Sequence, residues 1–171
     1  NTRLFARILD RSGPVESVLE FGANIGLNLK ALMNILPGAS LSGVEINKNA
    51  FEELDRIDGV LAHHSSIEAF EPEQPVDLTF TKTVLIHIDP EYLDTVYDKL
   101  YSCSKRYILV VEYYNQTPVE ILYRGHAGKL FKRDFAGEIM QRYSDLQLVD
   151  YGFVYHGDKF LQDDVTWFLM E

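Results

Sequence analysis

The sequence predicts an α/β domain built on a doubly wound, mostly parallel sheet of seven strands. Three observations lead there. Short apolar runs alternate with segments of helical periodicity from Arg3 to Glu112. The run Arg106-Tyr107-Ile108-Leu109-Val110-Val111-Glu112 is almost continuously apolar, as a strand covered on both faces must be. The last two strand-like runs follow one another with no helix between them, so the sheet closes on an antiparallel hairpin with the final strand reversed. A chain of 171 residues can bury a real core, and no linker or low-complexity tract divides it, so residues 1–171 read as one domain.

In order, residues 3–11 have apolar side chains at helical spacing, and Ser12-Gly13-Pro14 stops that helix. Strand one covers about 16–21 and the next helix about 26–36, closed by Pro37-Gly38. Strand two covers about 40–45, and Asn47 caps a helix running to about 56. Asp58-Gly59 is a turn into a short third strand that ends at His63-His64. Strand four is 76–81. Asp89-Pro90 opens a helix to about 104, with proline at its first position. Strand five is 106–112, and 113–131 form a long connection with little periodicity. A helix at about 132–143 precedes the last strands, Leu146 to Val154 and Val165 to Met170.

The stretch that organises the rest is Val18 to Asn28, an apolar strand turning into a helix through E-x-G-x-x-x-G. Gly22 and Gly26 permit positive φ and close backbone approach. N–H groups at the helix start can then face an anionic or polar ligand. A dinucleotide loop reads G-x-G-x-x-G, and here Asn24 replaces the middle glycine, so a pyrophosphate fits poorly. Glu45 ends strand two, where a carboxylate can accept both ribose hydroxyls of an adenosine. With Glu20 just before the first glycine, the pair of acids suits a ligand carrying an ammonium group and a free ribose.

On Glu20-Phe21-Gly22-Ala23-Asn24-Ile25-Gly26 and Val44-Glu45 the sequence resembles the class I S-adenosylmethionine-dependent methyltransferases. That resemblance implies the Rossmann-like methyltransferase fold and S-adenosyl-L-methionine as cofactor, with S-adenosyl-L-homocysteine as product. It implies that Gly22 to Gly26 wraps the methionine part, that Glu45 holds the ribose and that Ser65-Ser66-Ile67 lies against adenine. The expected cofactor-contacting residues are Glu20, Gly22, Ala23, Asn24, Gly26, Leu27, Glu45, Ile46, Ser65, Ser66, Ile67, Lys82 and Val84. Asn24 departs from the family's usual glycine and reads as a side-chain donor to the methionine carboxylate. The plain alternative is a generic βα turn.

The connection after strand five carries a second signal. From Arg124 to Arg133 it has four basic residues, His126 and no acid, in a chain of formal net charge -10. Long loops at the ligand end of an α/β sheet are commonly functional, and Arg124, Lys129, Lys132 and Arg133 could hold a carboxylate or phosphate by charge-assisted bonds. The alternative is a solvated helix start, although cations there oppose the helix dipole. The segment Glu112-Tyr113-Tyr114-Asn115, with Thr117-Pro118-Val119-Glu120-Ile121 and Tyr123-Arg124-Gly125-His126, followed by Lys129-Leu130-Phe131-Lys132-Arg133-Asp134, is similar to the methyltransferases associated with pseudaminic acid biosynthesis. This second resemblance implies a carboxylated or nucleotide-linked sugar as methyl acceptor.

Charge and composition set the limits. A net charge of -10 argues against a nucleic-acid partner bound through phosphates. No apolar run reaches the ~18 residues of a membrane span, and no signal peptide opens the chain, which begins at Asn1 rather than Met. The single cysteine, Cys103, excludes an internal disulfide and suits a reducing cytoplasm. His63 and His64 are adjacent on a strand and point to opposite faces, so no metal is expected.

Transfer of a methyl group from a sulfonium depends mostly on holding the acceptor in line, and a hydroxyl acceptor gains from a base. His87, His126, Tyr114 and Glu112 are the candidates for direct chemical roles, and Tyr113 and Asn115 for orienting the acceptor. A tyrosine face also stabilises a sulfonium. Two other readings stay open: displacement on the aminocarboxypropyl chain, which releases methylthioadenosine, and a non-catalytic module that binds the cofactor or a sugar.

Overall fold

The computed structural model describes residues 1–160 and 162–171. Strands β1 (Ser17–Phe21), β2 (Ser40–Glu45), β3 (Val60–His64), β4 (Val76–Lys82) and β5 (Ser104–Glu112) pair in parallel, while β8 (Leu148–Val154) and β9 (Val165–Met170) form the antiparallel end of the same sheet. The order is β3-β2-β1-β4-β5-β9-β8, with β9 inserted beside β5 and β8 at the edge. The chain therefore reverses direction across the sheet between β1 and β4, and the crevice outside the carboxyl ends of these strands is the topological switch point.

Alternation along the strands sorts the core into two layers. Val18, Leu78, Phe80, Leu109 and Leu169 face helices α1 (Thr2–Leu9), α2 (Leu27–Met33) and α3 (Lys48–Leu54), packing on Phe5, Ile8, Leu29, Leu32 and Leu54. Leu19, Phe21, Ile108, Val110 and Met170 face α4 (Leu93–Ser102) and α5 (Phe135–Arg142), packing on Val96, Leu100, Phe135 and Ile139. The parity matters for the site: Glu20 lies on the α2 side, and Glu112 shares the α4–α5 side with Ile108 and Val110. Among the described residues no helix is long and apolar enough to cross a membrane.

Asn47 caps α3 as expected, its Oδ1 accepting from the Asn49 and Ala50 N–H groups. Two expectations need correction. The connection after β5 is a second small sheet, in which β6 (Val119–Glu120) pairs antiparallel with β7 (Phe131–Lys132). Above that ribbon the chain turns at Arg124 and Gly125, both at positive φ, with Tyr123 and His126 exchanging backbone hydrogen bonds. The following helix starts at Phe135 with Asp134 as its N-cap, so Lys132 and Arg133 lie before it and not in its first turn.

Candidate functional site

The turn after β1 is folded over the tip of β2. The Gly22 and Ala23 N–H groups both donate to the Val44 carbonyl, at 2.9 and 3.0 Å. The Asn24 N–H donates to Glu45 Oε2 at 2.8 Å, and the Asn47 N–H donates to Glu45 Oε1 at 2.7 Å. Glu45 thus ties the glycine loop to the exit of β2 and keeps a second lone pair on each oxygen. On the other side the loop after β4 closes in, with Thr83 at φ 56 facing Asn24 at φ 50 across the crevice. Non-glycine residues held at positive φ concentrate where geometry is imposed by function.

These loops enclose a crevice in two halves that meet at Gly22, Asn24, Thr83 and Val84. The first half, about 290 Å³, is lined by Val44, Glu45, Ile46, Ser65, Ser66, Ile67, Glu68, His87 and Ile88. The second, about 250 Å³, is lined by Asn1, Ala23, Ile25, Leu27, Asn28 and Lys82. Eleven of the thirteen expected cofactor-contacting residues line one half or the other; Glu20 and Gly26 do not. Asn28, Thr83, Glu68 and Ile88 were missed by the sequence reading. Asn28 had a signal: it stands two residues beyond Gly26, where the first turn of α2 passes β1.

Glu20 lies behind the second half, fully buried, with the Asn28 amide donating to its Oε1 at 2.6 Å. Burial pushes its carboxyl up to about 8, opposed by that hydrogen bond and by the Lys82 charge. Glu20 Oε2 and Asn28 Oδ1 are both buried without a hydrogen-bond partner. Gly26 is a structural residue. Its φ is +76, and a Cβ there would come within 2.3 Å of Ile57 Cδ1 and 2.8 Å of Leu54 Cδ1, on the core side of the loop.

His87 ends a 3-10 turn (Leu85–His87) and lines the exposed edge of the first half of the crevice. Its Nδ1 lies 2.8 Å from the Lys129 carbonyl, and its ring meets Tyr123 edge-on at 5.4 Å. Glu112 is not placed as a reacting group: it is buried and its Oε1 accepts from the Val84 and Leu85 N–H groups at 3.0 and 3.1 Å, holding the start of the turn that carries His87. His126 sits exposed at the tip of the hairpin, outside the crevice lining. Tyr114 turns away, its ring 5.7 Å from Phe168. Tyr113 is half-buried, and burial followed by the Asp163 carboxylate pushes its hydroxyl up to about 12. The Asn115 amide donates to the Thr117 carbonyl at 2.6 Å.

The basic segment is also divided. Arg133 pairs with Glu138 of α5 at 2.7 Å, which spends its charge on the fold. Lys132 lies 5.1 Å from the Tyr113 ring, and its charge reaches Asp164, a carboxyl held low first by the His156 N–H. Arg124 stacks on Tyr123 at the hairpin turn, and Lys129 is exposed beside His87. Among the described residues, none of Arg124, Lys129 and Lys132 has a carboxylate within ion-pair distance. His63 packs edge-on to Phe70, and His64 stacks on Phe51 and donates to the Ile46 carbonyl. Among the described residues no three potential metal ligands cluster.

The buried Glu112 carboxyl gives a stability prediction. Burial raises it from 4.5 to about 7 against the backbone N–H bonds that favour its charge. A carboxyl raised on folding contributes stability that is present below about pH 4.5 and lost as pH rises through about 7. Thermal unfolding of the Glu112→Gln variant, which keeps the acceptor oxygen, should be stable relative to wild type by a growing margin from pH 5 to 8, up to about 3 kcal/mol. A constant difference across that range would show that Glu112 does not titrate in it.

No protein-family model matches the sequence, and no curated protein matches it. Solved structures do match in fold. The glycopeptide N-methyltransferase MtfA superposes with a TM-score of 0.76 at 14% identity, over 99% of this chain and 94% of that one. The Burkholderia thailandensis 1,6-didemethyltoxoflavin-N1-methyltransferase, solved with 1,6-didemethyltoxoflavin and S-adenosylhomocysteine bound, gives 0.74 at 17% identity, over 99% and 75%. A Leishmania major SAM-dependent methyltransferase gives 0.74 at 19% identity, over 99% and 70%. The architecture is thus the class I methyltransferase fold: seven strands with one antiparallel.

Proposed function

We propose that the chain is a cytoplasmic S-adenosylmethionine-dependent methyltransferase of a small-molecule acceptor. The observation that carries this reading is the two-part crevice, apolar beyond Glu45 and polar beside Asn24, Asn28 and Lys82, with Glu20 buried behind Asn28. Ile46, Ile67 and Val84 with Ser65 and Ser66 suit an adenine ring, and the free lone pairs of Glu45 suit ribose hydroxyls. Glu20 Oε2 and Asn28 Oδ1 are buried without a hydrogen-bond partner, and an ammonium would supply donors to both. Asn24 and Lys82 offer donors for the adjoining carboxylate. Bound there, the cofactor supplies an electrophilic methyl group on a sulfonium. The chain's own residues then fix the cofactor, exclude water with Val84 and Ile88, and present His87 to the acceptor's proton.

The finer reading is an anionic or nucleotide-linked sugar, methylated on a hydroxyl or amine. It is supported by the resemblance to the pseudaminic acid-associated methyltransferases and by Arg124 and Lys129 on the hairpin beside the crevice. Arg133 lends it less support than its place in the sequence suggested, because Glu138 pairs with it. The structural neighbours are named for a glycopeptide and for didemethyltoxoflavin, so acceptor chemistry varies widely on this fold.

Calorimetric titration tests the cofactor site. One-to-one binding of both S-adenosylmethionine and S-adenosylhomocysteine is expected, and no binding by folded protein would overturn the reading. Product analysis after incubation with acidic and nucleotide-linked sugars then separates the outcomes: S-adenosylhomocysteine marks methyl transfer and methylthioadenosine marks displacement on the aminocarboxypropyl chain.

A further inference from the structure

We infer that His87 is a latch with two working ends. Its Nδ1–H holds the β6–β7 hairpin against the crevice through the Lys129 carbonyl, and that bond leaves Nε2 as the nitrogen that takes the acceptor's proton. The inference rests on the proposed methyl transfer for the second half of this statement, and on geometry alone for the first.

A carbonyl oxygen only accepts, so at 2.8 Å the Lys129 carbonyl requires a proton on His87 Nδ1. In a neutral imidazole the other nitrogen is then bare, and the partner of one nitrogen fixes the role of the other. The residue is held from three directions. Below, Glu112 accepts the Val84 and Leu85 N–H groups at the head of the turn. Leu85 and Ile86 are buried in the α4–α5 core and anchor the turn there. Above, the ring meets Tyr123 edge-on.

The hairpin is held just as specifically. Leu130 is buried in the same core as Leu85 and Ile86, and its carbonyl accepts from the Ile121 N–H at 2.9 Å. The Glu120 carboxylate takes the Gly128 N–H, which closes the ribbon again. Every residue from 121 to 129 is exposed; the base of the ribbon is rooted by Leu130, by the Arg133–Glu138 pair and by the Asn115 N–H on the Arg133 carbonyl, so the contacts with His87 are what tie its outer part down. The hairpin lines neither half of the crevice and meets it through His87, so Lys129 and Tyr123 are positioning residues for His87. In the transfer step the acceptor oxygen or nitrogen forms a bond to the methyl carbon, the carbon–sulfur bond breaks with its electron pair kept by sulfur, and the acceptor's proton passes to Nε2.

Two measurements test this without an acceptor. Two-bond 1H–15N spectra of histidine-labelled protein, alone and with S-adenosylhomocysteine, should show His87 protonated on Nδ1 and bare on Nε2. A proton on Nε2 would overturn the inference. Solvent exchange of the Tyr123 and His126 amide protons reads the latch. Asparagine places its NH2 where His87 has Nδ1, and glutamine reaches the Nε2 position instead. His87→Asn should therefore keep wild-type exchange, while His87→Gln and His87→Ala should speed it by about tenfold, the worth of one hydrogen bond. Equal exchange in all four proteins would overturn the latch. Thermal unfolding and S-adenosylhomocysteine binding of each variant separate a folding defect from a local one. If wild type shows the Nδ1–H tautomer yet binds no cofactor, the latch stands and the methyltransferase reading falls.

Discussion

Gly22→Ala is expected to weaken S-adenosylmethionine binding at least about 100-fold while the protein stays folded, whereas Gly26→Ala is expected to cost stability first. Both glycines have positive φ, so an alanine at either pays the left-handed penalty of about 1–2 kcal/mol. What lies beyond the added methyl decides the rest. At Gly22 it would stand 2.5 Å from Val84 Cγ2 and 3.0 Å from Cγ1, at the neck where the two halves of the crevice meet. Val84 is β-branched and cannot step aside by a simple rotamer change, so the neck itself must shift. At Gly26 the methyl would meet Ile57 Cδ1 and Leu54 Cδ1 in a core that includes Leu29 and Leu32. Overpacking there adds about 1–3 kcal/mol to a total stability of about 5–15 kcal/mol. Urea unfolding and calorimetry of both variants read the two effects separately. Unchanged affinity in folded Gly22→Ala would remove the glycine loop from the cofactor site.

That contrast also shows where the sequence was readable. The E-x-G-x-x-x-G spacing revealed both glycines, because only a strand-to-helix turn needs positive φ at such positions. It did not reveal that one lines the crevice and the other faces core, since both places ask for the same missing Cβ. The acid at the β2 tip was legible for the same local reason, and so were the parallel strands, whose apolar runs are long. Glu112 was misread because strand parity, set by the register of β5 against β4, turns it under the loop after β4 instead of toward the crevice. The hairpin of 119–132 has no alternation to betray it: its strands are two residues each, and its turn uses Arg124 at positive φ where Asn or Asp would have given a signal. Arg133 looked uncompensated because its acid, Glu138, arrives from an element later in the chain.

Cofactor binding should also move a proton. Glu20 is buried with its carboxyl at about 8, so near pH 7 it is mostly neutral in the free protein. An ammonium beside Oε2 favours the carboxylate, and binding near pH 7 therefore releases a proton. Affinity for S-adenosylmethionine should rise from pH 6 to 8, by up to about tenfold per unit while the free protein holds the proton and the complex does not. Above that range the ligand's own α-amino group begins to titrate, at about 8, and the gain ends. The binding enthalpy near pH 7 should differ between phosphate and Tris buffers by the heat of the released proton. The sign for folding is opposite: a carboxyl raised from 4.5 to about 8 contributes stability below about pH 4.5 that is lost as pH rises through about 8. The thermal shift given by the cofactor should accordingly be larger at pH 8 than at pH 6. Glu20→Gln keeps the acceptor for the Asn28 amide and removes the charge, so it should flatten the pH dependence and weaken binding by about 10- to 100-fold, as expected for one charge-assisted hydrogen bond. Equal affinity at pH 6 and pH 8 in wild type would place the ammonium elsewhere, and the unpaired Glu20 Oε2 and Asn28 Oδ1 would then need a different donor.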